Sequence, residues 1–382
     1  MKIAEIEVIP VRMPLKAVLT LPKGASRSLD EGKRVALVKM TADDGTVGWG
    51  ESGPSRRWSA ETLESCVTSL RQYLAPAVIG HDAFDIAGLH AKMDTEIAPG
   101  LDPGHPVAKN AIDIACHDMI CRRLGIPLQS WLGRKKLDHV KLARLISAPD
   151  PDAAAKMTAE AAAAGYEGMK VKVGHDPHHD AAIMKAVVGA AGSAFVWPDA
   201  NQGFTLSEAL TFSRLIAPLG ITLFEQPVAM NDIYAMKKLL SAVPMTVALD
   251  EATIGIPFVI ELLRREAIEG GAIKINKMGG LFYARQMCDL ARNAGLALIG
   301  SGLMDAPIGF AASTHLYAGY GIDLPVDLNG PQFIGETYLA DPFPMQGQRA
   351  MVPDGPGLGI TIDEDKVAFF AKALAEADGT LA

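Results

Sequence analysis

The chain has 382 residues, 49% of them hydrophobic and 21% charged, with a formal net charge of −8. That length and balance suit a large globular fold, and the mixed acidic and basic residues exclude the basic face that nucleic-acid binding needs. No apolar run reaches the length of a membrane span, and four cysteines with no CxxC pair argue against a disulfide framework and for reduced structural thiols.

The N-terminus, "MKIAEIEVIPVRM", alternates apolar and polar residues and reads as a strand, not a secretory leader. "RVALVKMTADDGTVGWGE" at 34–51 follows as a hairpin turning at "DDG". From 59 the period becomes helical. Ser59 is the expected N-cap of "SAETLESCVTSLRQYL". "PVAKNAIDIACHDMICRRLG" is a second helix, stopped at Gly125 and Pro127. Residues 1–130 therefore form an α+β region.

Beyond about 135 short apolar runs alternate with Ala-rich or amphipathic helices: "VKLARLI" (140–146), "GMKVKVG", "AFVWPDA", "ITLFEQP", "MTVALDE", "AIKIN", "LALIGSG" and "GIDLPVDLN" (321–329). Strands alternating with helices imply a parallel sheet. Lys172, Asp199, Glu225, Asp250 and Lys274 follow one another at intervals of 27, 26, 25 and 24 residues, each at the end of an apolar run. A near-constant βα period over some eight units predicts a (β/α)₈-type barrel over 135–335. An open doubly wound sheet is the competitor, but no Gly-rich phosphate fingerprint follows any strand. The tail, about 345–382, holds a Pro/Gly cluster, a short strand and a helix, and is expected to pack back on the N-terminal region.

In a barrel the C-terminal strand ends share one mouth. Asp199, Glu225 and Asp250 offer only oxygen, a donor set for Mg²⁺ with Mn²⁺ as substitute. Each acid alone is explained as well by a helix cap. Three on consecutive strands, flanked by strands carrying lysine, point to a metal. Lys172 and Lys274 are placed on opposite sides of that metal, where one removes a proton from carbon and the other delivers one. A free lysine is a poor base at neutral pH and needs its pKa lowered. Lys170, two residues from Lys172 and on the same strand face, is expected to supply that lowering by like-charge repulsion. Asn201 is a further candidate to bind substrate or orient a ligand. A cation at this mouth stabilises the enolate formed when a proton leaves the carbon next to a carboxylate.

With these residues in view, the chain resembles the enolase superfamily, and within it the muconate lactonizing enzyme subgroup. "KVK" (170–172) is similar to its KxK motif. "PDANQGF", "FEQP" and "LDEA" are similar to its metal-ligand segments, and "IKINKMGG" to the segment bearing the opposing lysine. The resemblance spans essentially the whole chain. It implies an α/β fold: a modified TIM barrel, (β/α)₇β, under an α+β capping domain built from the N-terminal region and the C-terminal tail. It also implies Mg²⁺ and a lysine base, a pairing already established for that superfamily.

Two departures matter. Asp305 stands after the seventh strand where many relatives carry Glu. "VDLNGP" offers Asp327 and Asn329 where dipeptide epimerases show two aspartates that grip the substrate ammonium. The implied activity is an isomerase acting on a small carboxylate, a racemase, epimerase or muconate-type cycloisomerase. A dehydratase of the same fold and a Schiff-base lysine aldolase are the enzymatic rivals, and a barrel kept only for binding is the non-enzymatic one. Specificity is expected from loops near 17–28 and 52–60, with Arg56 and Arg57 meeting a second substrate carboxylate and Trp58 covering an apolar or cationic group. His175, His178 and His179 form either a second metal site or, more simply, an exposed loop. The resemblance further suggests a cytoplasmic homo-oligomer, dimer to octamer, with no nucleic-acid or membrane partner.

Overall fold

The computed structural model describes residues 1–377, apart from 19, 22–23, 26–27, 101–102 and 134–135. Its N-terminal part is a three-stranded antiparallel sheet of β1 (Ile3–Met13), β2 (Lys33–Ala42) and β3 (Val47–Ser52), paired with Val8 opposite Val38 and Ala36 opposite Ser52. Gly45, at φ 82°, closes the β2–β3 turn at the expected "DDG". Helices α1 (Leu63–Thr68), which runs on through further helical turns to Val78, α2 (Ile86–Glu96) and α3 (Pro106–Leu124) pack on the sheet. Pro106 opens α3 and Gly125, at φ 67°, ends it. The sheet and α3 approach so closely that a Cβ at residue 50 would stand 1.8 Å from the Ala111 carbonyl oxygen, so only glycine fits there.

The expected helix start at Ser59 is corrected. The N-cap is Thr62: its hydroxyl accepts from the Ser65 amide at 3.2 Å, and the Ser65 hydroxyl accepts from the Thr62 amide at 2.9 Å. This reciprocal box satisfies two otherwise unpaired donors, which Ser59 is too far upstream to do. Ser59 lies instead in a turn, its amide donating to the Ser55 carbonyl.

The run read as one strand over 140–146 divides in two. β4 (His139–Lys141) pairs antiparallel with a tail strand, and β5 (Ala143–Ile146) opens the barrel. Leu142 is the hinge between partners, donating to the Gln348 carbonyl and bridging to Val326. Six parallel strands follow in spatial order: β6 (Gly168–Lys172), β7 (Phe195–Asp199), β8 (Leu223–Glu225), β9 (Thr246–Leu249), β10 (Gly270–Ile273) and β11 (Ala297–Gly300). The helices between them are α4 (Pro151–Ala163), α5 (Pro177–Ala190), α6 (Leu206–Ile216), α7 (Ile233–Leu240), α8 (Ile256–Arg264) and α9 (Leu281–Asn293), and α10 (Pro307–Tyr320) follows β11.

The predicted eighth strand is reduced to Val326 and Asp327. Val326 bridges to Leu142 at one edge and Asp327 to Ser301 at the other, and these contacts close the ring. The architecture is thus (β/α)₇β. Inside the ring Ala143, Trp197, Leu223, Ala248, Ala272 and Ile299 form a small core of their own. The larger core lies between strands and helices. The tail adds β12 (Met345–Gln346), β13 (Arg349–Met351) and α11 (Glu364–Ala377). Leu374 of α11 joins Ile3, Val8 and Val38 in the core of the N-terminal sheet.

Candidate active site

Along β6 the pleat sends Lys170 and Lys172 into the barrel while Met169 and Val171 join the outer core. Lys170 is 1% exposed. Its ammonium lies 3.0 Å from Asp199, 2.7 Å from Glu225 and 2.9 Å from Asp327. Burial works against its charge, yet these carboxylates outweigh burial and hold Lys170 well above the ordinary lysine range. Lys170 is matched by acids from three strands and neutralises them.

Lys172 donates to Asp199 Oδ2 at 2.7 Å and to Asn201 Oδ1 at 2.6 Å. Asn201 sits at φ 43° and donates in turn to Glu251 at 3.1 Å. Four strands further round the ring, Lys274 donates to Asp250 Oδ2 at 2.6 Å. The other oxygen of Asp250 takes Lys277 at 2.7 Å, and Lys277 also reaches the Thr253 hydroxyl at 2.8 Å. Asp250 outweighs burial and raises Lys274, whereas burial, aided by Lys274, pushes Lys277 down. Of the two lysines on Asp250, the lowered one is thus Lys277.

Asp199, Glu225 and Asp250 are fully buried on three adjacent strands, with Asp199 and Glu225 directly paired across β7 and β8. Burial and then the charge of Asp199 push Glu225 up to about 7, with Asp250 adding to the effect and Lys170 opposing it. Lys170 and Lys172 overcome burial at Asp199, and Lys274 and Lys277 do so at Asp250, so both stay below the usual carboxylate range. Among the described residues no three His, Cys, Asp or Glu side chains stand arranged to hold a metal ion. The carboxylate oxygens are turned toward ammonium groups instead. The donor set nonetheless suits a hard divalent ion, because all three side chains offer only oxygen and lie fully buried on adjacent strands.

The floor and rim explain how these groups are held. Trp197, in the ring's inner core, donates its indole N–H to Glu225 Oε2 at 2.9 Å. Gln226, at φ 34°, accepts from the Asp250 amide at 2.8 Å and from the Ala252 amide at 3.2 Å, fixing the turn after β9. The Trp58 ring lies 4.1 Å from the Lys274 ammonium, so the cation it covers belongs to the chain itself. Arg56, 57% exposed in the loop beside Trp58, pairs with Glu31 at 2.6 Å.

Asp327 is likewise engaged, accepting from Asn329 at 2.9 Å while pairing with Lys170. Asp305 accepts from Asn276 at 3.2 Å and is pushed up to about 6, by burial and then by Glu51. The loop 17–28 includes residues 19, 22–23 and 26–27, outside the described set. His179 Nε2–H donates to the Pro149 carbonyl oxygen at 3.0 Å, and the histidine run forms no metal cluster among the described residues.

Sequence reasoning did not single out Lys277 as a site residue and missed Glu251 and Glu51. Glu251 is buried with one oxygen unpartnered and is pushed up to about 7, by burial and then by Asp250 and Asp199. The doubled acid of "LDEA" was the available signal. Glu51 comes from the capping sheet and carried none.

A barrel mouth that gathers acids from three adjacent strands between two opposed lysines is an arrangement suited to acid–base chemistry. Residues 6–133 match the mandelate racemase/muconate lactonizing enzyme N-terminal domain, and residues 152–366 the enolase C-terminal domain-like family. The chain belongs to the muconate lactonizing enzyme subgroup of the enolase superfamily.

It is 30% identical over 371 residues, 96% of each chain, to an N-succinyl-L-Arg/Lys racemase of Bacillus cereus. It is 29% identical, over 96% of each chain, to a chloromuconate cycloisomerase of Cupriavidus necator. The structure of the B. cereus racemase superposes with TM-score 0.90 at 28% identity, covering 97% of this chain and 98% of that one. A dipeptide epimerase of Enterococcus faecalis, complexed with Mg and L-Leu-L-Tyr, gives 0.88 at 27%, covering 94% and 100%. These relatives are isomerases. Among the described residues no helix is long and apolar enough to cross a membrane.

Proposed function

We propose that the protein is a Mg²⁺-dependent isomerase that moves a proton at the carbon next to a substrate carboxylate, acting by preference as a racemase of N-acylated amino acids. The observation that carries this reading is the placement of Lys172 and Lys274 four strands apart in an eight-membered ring, hence across the mouth from each other, each hydrogen-bonded to an acid of the central set. Asp199, Glu225 and Asp250 would hold the metal, which when bound stabilises charge on the substrate carboxylate as the α-proton leaves.

Lys172 and Lys274 then serve opposite faces of the α-carbon. On one, a neutral amine takes the proton; on the other, an ammonium returns one, and the configuration inverts. Asn201 accepts from Lys172 at 2.6 Å while its backbone amide donates to Asp199 at 2.9 Å, and so helps to fix the amine. Lys170 keeps its charge and balances the acids. A free α-ammonium on the substrate would need an acid to receive it, and Asp327 is already satisfied by Lys170 and Asn329. That favours an acylated nitrogen over a dipeptide amine. Residues 1–130 with the tail from about 345 are the cap and 135–335 the barrel in this reading.

The test is incubation with Mg²⁺ in deuterium oxide of N-succinyl amino acids, dipeptides and muconate-like diacids. Deuterium entering both enantiomers of an N-acyl amino acid supports the reading. Lactone formation from muconate without such exchange would replace racemisation by cycloisomerisation. Loss of water would identify a dehydratase.

A further inference from the structure

Helix α10 begins directly after the loop that leaves β11 at the barrel mouth, and its own sequence does not cap it. The N-cap residue is Ala306, which has no side-chain acceptor. The acceptor arrives from the capping sheet. Glu51 Oε1 accepts from the Ala306 amide at 2.8 Å, and Oε2 from the Gly309 amide at 3.3 Å and the Tyr338 hydroxyl at 2.7 Å. A buried carboxylate on a helix N-terminus meets both unpaired amides and the positive end of the dipole.

The connection continues inward. Lys33, also from the capping sheet, donates to the Leu303 carbonyl at 3.0 Å. Asp305, adjoining Ala306, accepts from the Leu303 amide at 3.3 Å and from Asn276 Nδ2 at 3.2 Å. Asn276 lies between Lys274 and Lys277 and accepts from the Lys277 amide at 2.8 Å. Lys172, across the ring, has Asp199 and Asn201 as partners and shares none of this chain.

We propose that Glu51 is a positioning residue that couples docking of the capping sheet to the placement of Lys274 alone, through Ala306, Asp305 and Asn276. The inference rests on the proposed function only for its kinetic consequence; the structural coupling stands apart from it.

Glu51→Gln keeps the shape but replaces one acceptor oxygen by a donor that no longer suits the amides and hydroxyl around it. Tyr338→Phe removes a single donor to the same carboxylate and covers the case in which Glu51→Gln does not fold. Two readouts separate the outcomes. Brief acetic-anhydride labelling of the folded proteins, read residue by residue by mass spectrometry, needs no substrate. Lys274 is expected to label at least about threefold faster in both variants, with Lys172 changed by less than that, as local opening confined to one flank requires.

Equal changes at the two lysines, or none, overturn the proposal, because a general loss of structure would loosen both. The second readout is α-deuterium exchange into each enantiomer of N-succinyl-arginine. The enantiomer served by Lys274 should slow by about tenfold and its mirror image much less, since misplacement of a reacting group by a fraction of an ångström has effects of this order. If labelling splits as expected while exchange falls equally for both, the coupling stands and the assignment of Lys274 as a base fails.

Discussion

Replacing Lys170 by methionine removes the one ammonium shared by Asp199, Glu225 and Asp327 while keeping most of the side-chain volume. Lys170 and two of its acids are essentially inaccessible to water. Deleting one partner of a buried ion pair costs about 3–5 kcal/mol, because the charges left behind are neither solvated nor matched. For 382 residues, an unfolding entropy of about 2.1 cal/mol/K per residue gives roughly 0.8 kcal/mol/K, so the melting temperature should fall by about 4–6 °C.

Magnesium makes the test specific. A ligand at about 100 times its Kd stabilises a protein by about 2.7 kcal/mol. In the wild type a cation at the three acids must share Asp199 and Glu225 with Lys170. In Lys170→Met it meets no such competitor. Calorimetry with and without Mg²⁺ should therefore show a larger metal-induced rise for the variant than for the wild type. An unchanged melting temperature, or equal rises in the two proteins, would refute the view that Lys170 supplies positive charge to the acids that would bind metal.

Lys172→Ala and Lys274→Ala should each reduce turnover by about 10²–10⁴, the usual worth of a general acid–base group. Chiral analysis of α-deuterium exchange should show each variant losing a different enantiomer; loss of the same one would contradict the two-sided arrangement. His315 is buried, with Nδ1 accepting from the Gln129 amide and Nε2–H donating to Leu358, and burial pushes it down to about 4 from 6.5. The unfolded chain binds that proton first, so the contribution is present above pH 6.5 and is lost as pH falls toward 4. At 1.36 kcal/mol per pKa unit this is on the order of 3 kcal/mol. Urea midpoints measured across that window should drop in the wild type and drop less in His315→Gln. Gly280, at φ 121°, would place a Cβ 2.3 Å from Asp113 Cγ. Gly280→Ala should cost about 2–4 kcal/mol by denaturation, through left-handed strain and the clash with Asp113.

What was legible in the sequence was periodic. A strand ends where its apolar run ends, and a constant βα interval makes successive ends neighbours. Those two facts alone brought Asp199, Glu225, Asp250 and both opposed lysines to one mouth. Which oxygen meets which ammonium was not legible, because it is settled by competition among several groups at once. Asp250 has two oxygens and both Lys274 and Lys277 within reach, so Lys277 becomes part of the site although only Lys274 lies at a strand end. Asp327 reads in sequence as half of a substrate grip, yet Lys170 reaches it first. Arg56 likewise pairs within the cap, with Glu31, a partner its sequence neighbourhood does not announce.

The cap contributions were the least legible, and the reason is again physical. Local rules for a helix start look a few residues upstream, and before α10 they find Ala306, which cannot cap. The missing acceptor, Glu51, sits in a hairpin at the far end of the chain and becomes the cap only once the capping sheet has docked. Docking therefore completes a barrel helix rather than merely covering the mouth. Because that helix follows the strand beside the one bearing Lys274, the capping sheet reaches the Lys274 side of the proposed reaction through Glu51.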